Sequence, residues 1–281
     1  MRTLRLYARD LRVGLPSVRP YLVAALVLGI VYGIAAAGDC AYSGNDLSSF
    51  TFADYVALTF QFANPVDLWL LIQGRPLAIT FPWFFSFAVL FAATLEFPRA
   101  DLLGAGYRGV VASGSRWAWW IAKCAWVCTV VAAFWVLLFG GLILTAWAFG
   151  AQASEFMSEY AMIMVPSSSS ARYPGMSMVP LMLLTVPICA SMMLVQLAVS
   201  VRVERMPGYL LCMGVLFASG MVEHPLLPGN YLISGRSAGA YVEGLPMNDG
   251  FALSLAVAWI AVAVGGLLVS RMTIYGGSRD E

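Results

Sequence analysis

The chain of 281 residues is 60% hydrophobic and 11% charged, with a formal net charge of +1 and a mean hydropathy of +0.80. A soluble domain carries about 25% charged residues, so this chain cannot cover a water-facing surface and reads as an integral membrane protein. Its few, balanced charges exclude a nucleic-acid-binding face, which needs a dense basic patch, and five cysteines, four of them in apolar runs, suggest neither a disulfide framework nor a zinc site.

Residues 1–15 open the chain with an amphipathic helical pattern. Arg2, Arg5, Arg9 and Arg12 fall within a sector of about 80° at helical periodicity, opposite Leu4, Tyr7, Ala8, Leu11 and Leu15. The pattern predicts an interfacial helix with its basic stripe toward anionic headgroups, broken by Pro16 and Pro20 as the chain turns into the first span. The arginines followed by an apolar run ending in Ala35-Ala36-Ala37 also match a signal peptide, a reading that the long basic segment disfavours.

A hydrocarbon core about 30 Å thick needs about 20 helical residues. Apolar stretches of suitable length, charge-free except for Lys123 at the edge of the third, predict six spans, at about 21–37, 77–95, 121–150, 178–200, 207–222 and 251–270. The fifth is the shortest, and Pro82, Pro180 and Pro187 predict kinks inside spans. In span one, Gly29, Gly33 and Ala37 form a small-residue row that allows close helix approach; it serves either a homodimer interface or packing within the chain.

Between spans two and three lies EFPRADLLGAGYRGVVASGSR. Pro98 starts a short helix there that ends near Gly104 and Gly106, and its exposure predicts either a contact surface or a solvated connector. Trp117, Trp119 and Trp120 then predict an aromatic belt at the start of span three. On the other face, residues 50–62 and 65–72 are aromatic enough to lie on the membrane or fold back over the bundle. Residues 223–250 are rich in Gly and Pro.

Six spans put both termini on one side. That side then holds 13 of the 16 basic residues and leaves Arg75, Arg172 and Arg236 opposite, while 9 of the 15 acidic residues lie with those three. The asymmetry predicts cytoplasmic termini.

The sequence offers little chemistry. His224 is the one histidine, and although Ser219 lies five residues before it, an interfacial polar residue is the better reading than a serine hydrolase. No G-x-x-x-x-G-K-[ST] phosphate loop occurs. No Asp, Glu or Lys stands at the centre of a span, where ion-coupled carriers place one, and Lys123 stands at the edge of span three. Gln196 is the one amide inside a span and reads as interhelical glue. Eleven of the 14 methionines fall within residues 157–221; thioethers bind Cu(I), but adaptable apolar packing accounts for them better.

The six spans, the N-terminal interfacial helix, the helix-bearing loop between spans two and three, the run Ser113-Gly114-Ser115-Arg116-Trp117 to Lys123, and Pro228-Gly229-Asn230-Tyr231 together resemble the permease subunit of an ABC-2 type bacterial ABC exporter. The resemblance implies an all-α polytopic fold in which residues 1–20 form the elbow helix. It implies a coupling helix at Pro98 to Gly106, with Pro98, Arg99, Asp101, Leu102, Gly106 and Arg108 meeting a separate ATP-binding cassette ATPase. The chain itself is then no enzyme and holds no cofactor, since ATP and Mg belong to the partner. It also implies a second permease chain, the same or a paralogue, residence in the inner (cytoplasmic) membrane, and export of an amphipathic or apolar peptide, antibiotic or lipid. The alternative is a non-enzymatic membrane anchor or channel-like subunit. The long segment 38–76 departs from the family pattern.

Overall fold

The computed structural model describes residues 2–42, 44–60, 81–103, 115–159, 175–239 and 244–272, and among these the regular structure is helical, without a strand. Four helices are long and apolar enough to cross a membrane: α1 (Arg2–Tyr42), α5 (Arg116–Ala148), α6 (Val179–Arg202) and α8 (Met247–Arg271). Shorter ones are α2 (Phe52–Phe60), α3 (Phe81–Ala93), α4 (Phe97–Leu103) and α7 (Arg205–Met221).

The N-terminal segment corrects one expectation. It is not a separate interfacial helix, because α1 continues unbroken through Pro16 and Pro20 for 41 residues, about 60 Å at helical rise. Each proline removes one backbone hydrogen bond and crowds the carbonyl four residues earlier. Both prolines lie on the exposed side, and the Ser17 hydroxyl donates to the Gly14 carbonyl at 2.7 Å. The opposite side packs on α5 and holds the helix through both sites. The buried stripe is Leu6, Asp10, Gly14 and Val18, at four-residue spacing, whereas Leu4 and Leu15 of the expected apolar face are exposed.

Helices α1 and α5 ascend side by side. A Cβ on Gly14 would stand 2.7 Å from the Trp126 ring, one on Gly33 2.6 Å from the Thr145 side chain, and one on Gly141 2.6 Å from the Leu26 carbonyl. The facing residues rise together along both helices, so the pair is parallel in one fixed register. Gly29 meets the Leu138 carbonyl so closely that only hydrogen fits, and Ala37 is also buried. The Gly29, Gly33 and Ala37 row is thus used inside the chain in this structure.

Parallel neighbours require the intervening chain to return. Helix α3 runs opposite to α1: Trp83 donates to the Leu232 carbonyl at one end, and Glu96, just past α3, pairs with Arg205 at the other. Helices α6 and α7 form an antiparallel hairpin, with Gly208 facing Gln196 and the Cys212 thiol donating to the Met192 carbonyl. Gln196 also donates to the Phe91 carbonyl at 2.8 Å, tying α6 to α3. Helix α8 descends along α5, where Arg116 donates to the carbonyls of Ser270 and Met272 at 2.6 and 2.7 Å.

The core centres on Trp135, whose ring lies 5.4 Å from Phe87, 5.5 Å from Phe139 and 5.8 Å from Phe60, within the range for favourable aromatic pairs. Phe60 belongs to α2, so this segment folds into the end of the bundle. A capping box starts α2: Asp54 accepts from the Thr51 amide at 2.8 Å, and its other oxygen accepts from Ser158 at 2.8 Å. Residues 61–80, including the aromatic stretch 65–72, lie outside the described residues.

Inserting bulk where no space exists destabilises a packed interface by about 1–3 kcal/mol. Gly33→Leu should therefore lower the unfolding midpoint in detergent by that amount, whereas Gly140→Leu, with nothing within 4 Å, should stay within about 0.5 kcal/mol of the parent. Equal midpoints for the two variants would show that α1 and α5 do not meet along this face.

Candidate functional site

The first two turns of α5 are the junction of the molecule. Ser115 caps the helix by accepting from the Ala118 amide at 3.2 Å. Trp117 and Trp120 then press on Gly266 and Gly265 of α8, and Trp120 donates to the Val262 carbonyl at 2.8 Å. Of the expected aromatic belt, Trp119 and Trp120 are buried, as is Trp126 further on, while Trp117 is 41% exposed. Glycines on α1 and α8 leave room for the Trp126 and Trp120 rings, which seat neighbouring helices.

One turn on, Lys123 is fully buried between two carboxylates. Its Nζ lies 2.8 Å from Asp10 Oδ1 of α1 and 2.7 Å from Asp101 Oδ2 of α4. Arg9 completes the cluster, 2.6 Å from Asp101 and 3.6 Å from Asp10, and it alone of the four is partly exposed. Trp119 Nε1 donates to Asp101 at 3.4 Å. The Phe97 ring of α4 stands 4.3 Å from the Lys123 ammonium, close enough for a cation–π contact. Burial by itself raises the Asp101 carboxyl, but hydrogen bonds and charge from Lys123 and Arg9 outweigh it and hold the carboxyl below the ordinary carboxylate range.

Two positive and two negative charges cancel here in a space closed by aromatic rings. Taking any one of them out of water alone is very costly. The arrangement therefore persists only while α1, α4 and α5 stay together, and the cluster acts as a three-way joint.

The joint changes the reading of the α4 residues. Asp101 does not stand outward as a docking anchor; it is buried and ion-paired, and Pro98 is buried beside it. Four-residue periodicity explains this, since Phe97 and Asp101 share the inward face and Glu96 and Ala100 the exposed one. The side chains of Arg99 and Leu102, and all of Gly106 and Arg108, lie outside the described residues. Sequence reasoning missed Asp10, Gly14 and Lys123. Lys123 is the single lysine of the chain, and Asp10 is the one acid among the N-terminal arginines, so both carried a signal.

The opposite end holds a second buried polar group. Arg236 donates to the Gly220 carbonyl at 3.0 Å and also to the Ser219 carbonyl and Asn230, capping the C-terminus of α7. Asn230 donates to the carbonyls of Val222 and His224. The Ser219 hydroxyl donates to the Val215 carbonyl at 2.8 Å, and His224 Nδ1 accepts from the Leu226 amide at 3.2 Å. Both side chains thus serve local backbone structure. In comparisons with protein-family models, curated proteins and solved structures, none matches this chain.

Removing one member of a buried ion pair costs about 3–5 kcal/mol, because its partner stays charged and desolvated. Lys123→Met should lose stability on that scale in chemical unfolding in detergent, and adding Asp10→Asn should recover part of the loss. A double-mutant cycle with strictly additive losses would mean that the two groups do not interact.

Proposed function

We propose that the chain is the transmembrane permease subunit of an ATP-driven ABC transporter of the ABC-2 type. It exports an amphipathic or apolar substrate, works with a second permease chain, and leaves ATP hydrolysis to a separate subunit. The observation that carries this reading is the joint at Lys123, which ties the short helix α4 to two of the long apolar helices, α1 and α5. A push on the exposed face of α4 cannot be absorbed locally, since sliding Asp101 away would strand a buried ammonium. It reaches α1 and α5 as rigid-body movement, which is what a coupling helix must deliver.

The proposed topology has six crossings, by α1, α3, α5, α6, α7 and α8, with both termini in the cytosol of a cell whose inner membrane holds the protein. Supporting it, these helices alternate in direction, and Arg9, Arg116, Lys123, Arg205 and Arg271 gather at one end of the bundle while Arg236 stands at the other. The apolar lengths of α3 and α7 are short, 13 and 17 residues, and crossing by them requires local thinning of the bilayer or flanking turns. Two engineered cysteines test the sidedness: Ser48→Cys, exposed at one end, should label from outside the cell, and Ala100→Cys, exposed on α4, only from the cytosol. Labelling of both from the same side would overturn the topology.

Co-purification tests the function. Expressed from its native gene neighbourhood, the chain should bring an ATPase with it. Ala100→Trp, on the exposed face, should reduce that capture or the coupled ATP hydrolysis about tenfold, the equivalent of about 1.4 kcal/mol, at an unchanged unfolding midpoint. Absence of any ATPase with the parent chain would sink the permease reading.

A further inference from the structure

The end of the bundle away from Lys123 holds a chamber of about 420 Å³ lined by Met176, Pro180, Leu181, Leu184, Tyr231 and Met247 among others, with no ionised side chain among its described lining residues. That volume lies within the range of small-molecule sites, which are mostly apolar with a few placed polar groups. We propose that this chamber binds a cationic amphiphile, its apolar body inside and its positive charge at the mouth.

Three features carry the assignment. The floor is preformed: Tyr231 belongs to a wholly buried 3-10 turn, Pro228–Leu232, and its hydroxyl donates to the Pro225 carbonyl at 3.0 Å. Arg236 and Asn230 fasten this loop to the end of α7. An apolar chamber on a pinned loop loses little order on binding, which favours affinity. The wall adapts, since Met176 and Met247 contribute flexible thioethers, and Gly239 at the rim leaves the Met176 side chain 3.3 Å from where a Cβ would stand.

Two exposed carboxylates, Glu155 and Asp249, stand beside described residues of the wall. Ser177 of the wall donates to Glu155 at 3.1 Å, and Glu155 is exposed. Asp249, also exposed, lies two residues beyond Met247. Gly250, the next residue, packs on the Tyr231 ring, 2.8 Å from where its Cβ would stand, which places Asp249 near the floor; burial first, and the Asp249 charge second, raise the Tyr231 phenol above its ordinary value. A cation at the mouth gains from both carboxylates, whereas an anion of the same length is repelled. This site stands apart from the transport reading, since its assay uses no ATPase and neither result decides the other.

The test uses the full chain in phosphatidylcholine nanodiscs and a photoactivatable diazirine analogue of dodecylammonium, with labelled residues mapped by mass spectrometry. Label should concentrate on Met176, Leu184 and Met247. Dodecyltrimethylammonium should compete at least about threefold better than dodecyl sulfate, the scale of exposed charge interactions. Leu184→Trp fills the chamber from below but also crowds Gly250, on which a Cβ would stand 2.9 Å from the Leu184 side chain. Ala238→Trp closes the exposed mouth and leaves the core untouched. Both should abolish chamber labelling, and Glu155→Gln with Asp249→Asn should bring the two competitors level. Label confined to lipid-facing residues such as Leu255 and Ile260, or unchanged by Ala238→Trp, would overturn the site. Equal competition by cation and anion in the parent chain would overturn its charge preference.

Discussion

A single fully buried ammonium group constrains one end of this protein. Asp10 and Asp101 stand within 2.8 Å of the Lys123 ammonium on two other helices, and a buried charge needs such counter-charges. Separating any of the three would leave a bare charge among Phe97, Trp119 and Trp126. Apolar contacts weaken gradually as helices slide, but a buried ion pair fails abruptly. The joint therefore fixes where α4 sits and in which register α1 meets α5.

Close packing propagates that register upward. Small residues at Gly14, Gly29, Gly33 and Gly141 let the two backbones approach along much of their length. In lipid, association depends on such packing because the surrounding tails are as apolar as the helices. The same device works sideways at the lower end of α5, where Gly265 and Gly266 receive two indole rings. The α1 and α5 pair thus forms a stiff strut, with α8 pinned to its foot through Arg116.

The outer end solves a different problem. Its connections are irregular, and every backbone group buried there needs a partner. Asp54 supplies such partners at the start of α2, and Asn230 and Arg236 supply them around the turn Pro228–Leu232, pinning it to the end of α7. A rigid loop above apolar helices is what makes room for a preformed chamber. The joint at one end and the chamber at the other are connected by the strut and by the α6 and α7 hairpin.

The sequence by itself determined the solvent of this protein and the position of its helices. Long runs without charge can be stable only in lipid or in a core, and five of the six placed a described helix to within about five residues, whereas the first helix begins 19 residues before the run at 21–37 that announced it. Its arginine asymmetry also anticipated that basic side chains would gather at one end of the bundle. Partners across helices were beyond its reach. Periodicity read residues 1–15 as a separate interfacial helix and Pro16 and Pro20 as breaks, because propensity is local and contact with α5 is not. It read Asp101 as a surface anchor and the tryptophans as a lipid belt for the same reason: polarity in a sequence implies exposure until a counter-charge or a glycine from another helix is known to stand opposite. Only the tertiary structure brought Asp10, Asp101 and Lys123 to one point, since the free energy of a buried charge depends on neighbours more than a hundred residues away.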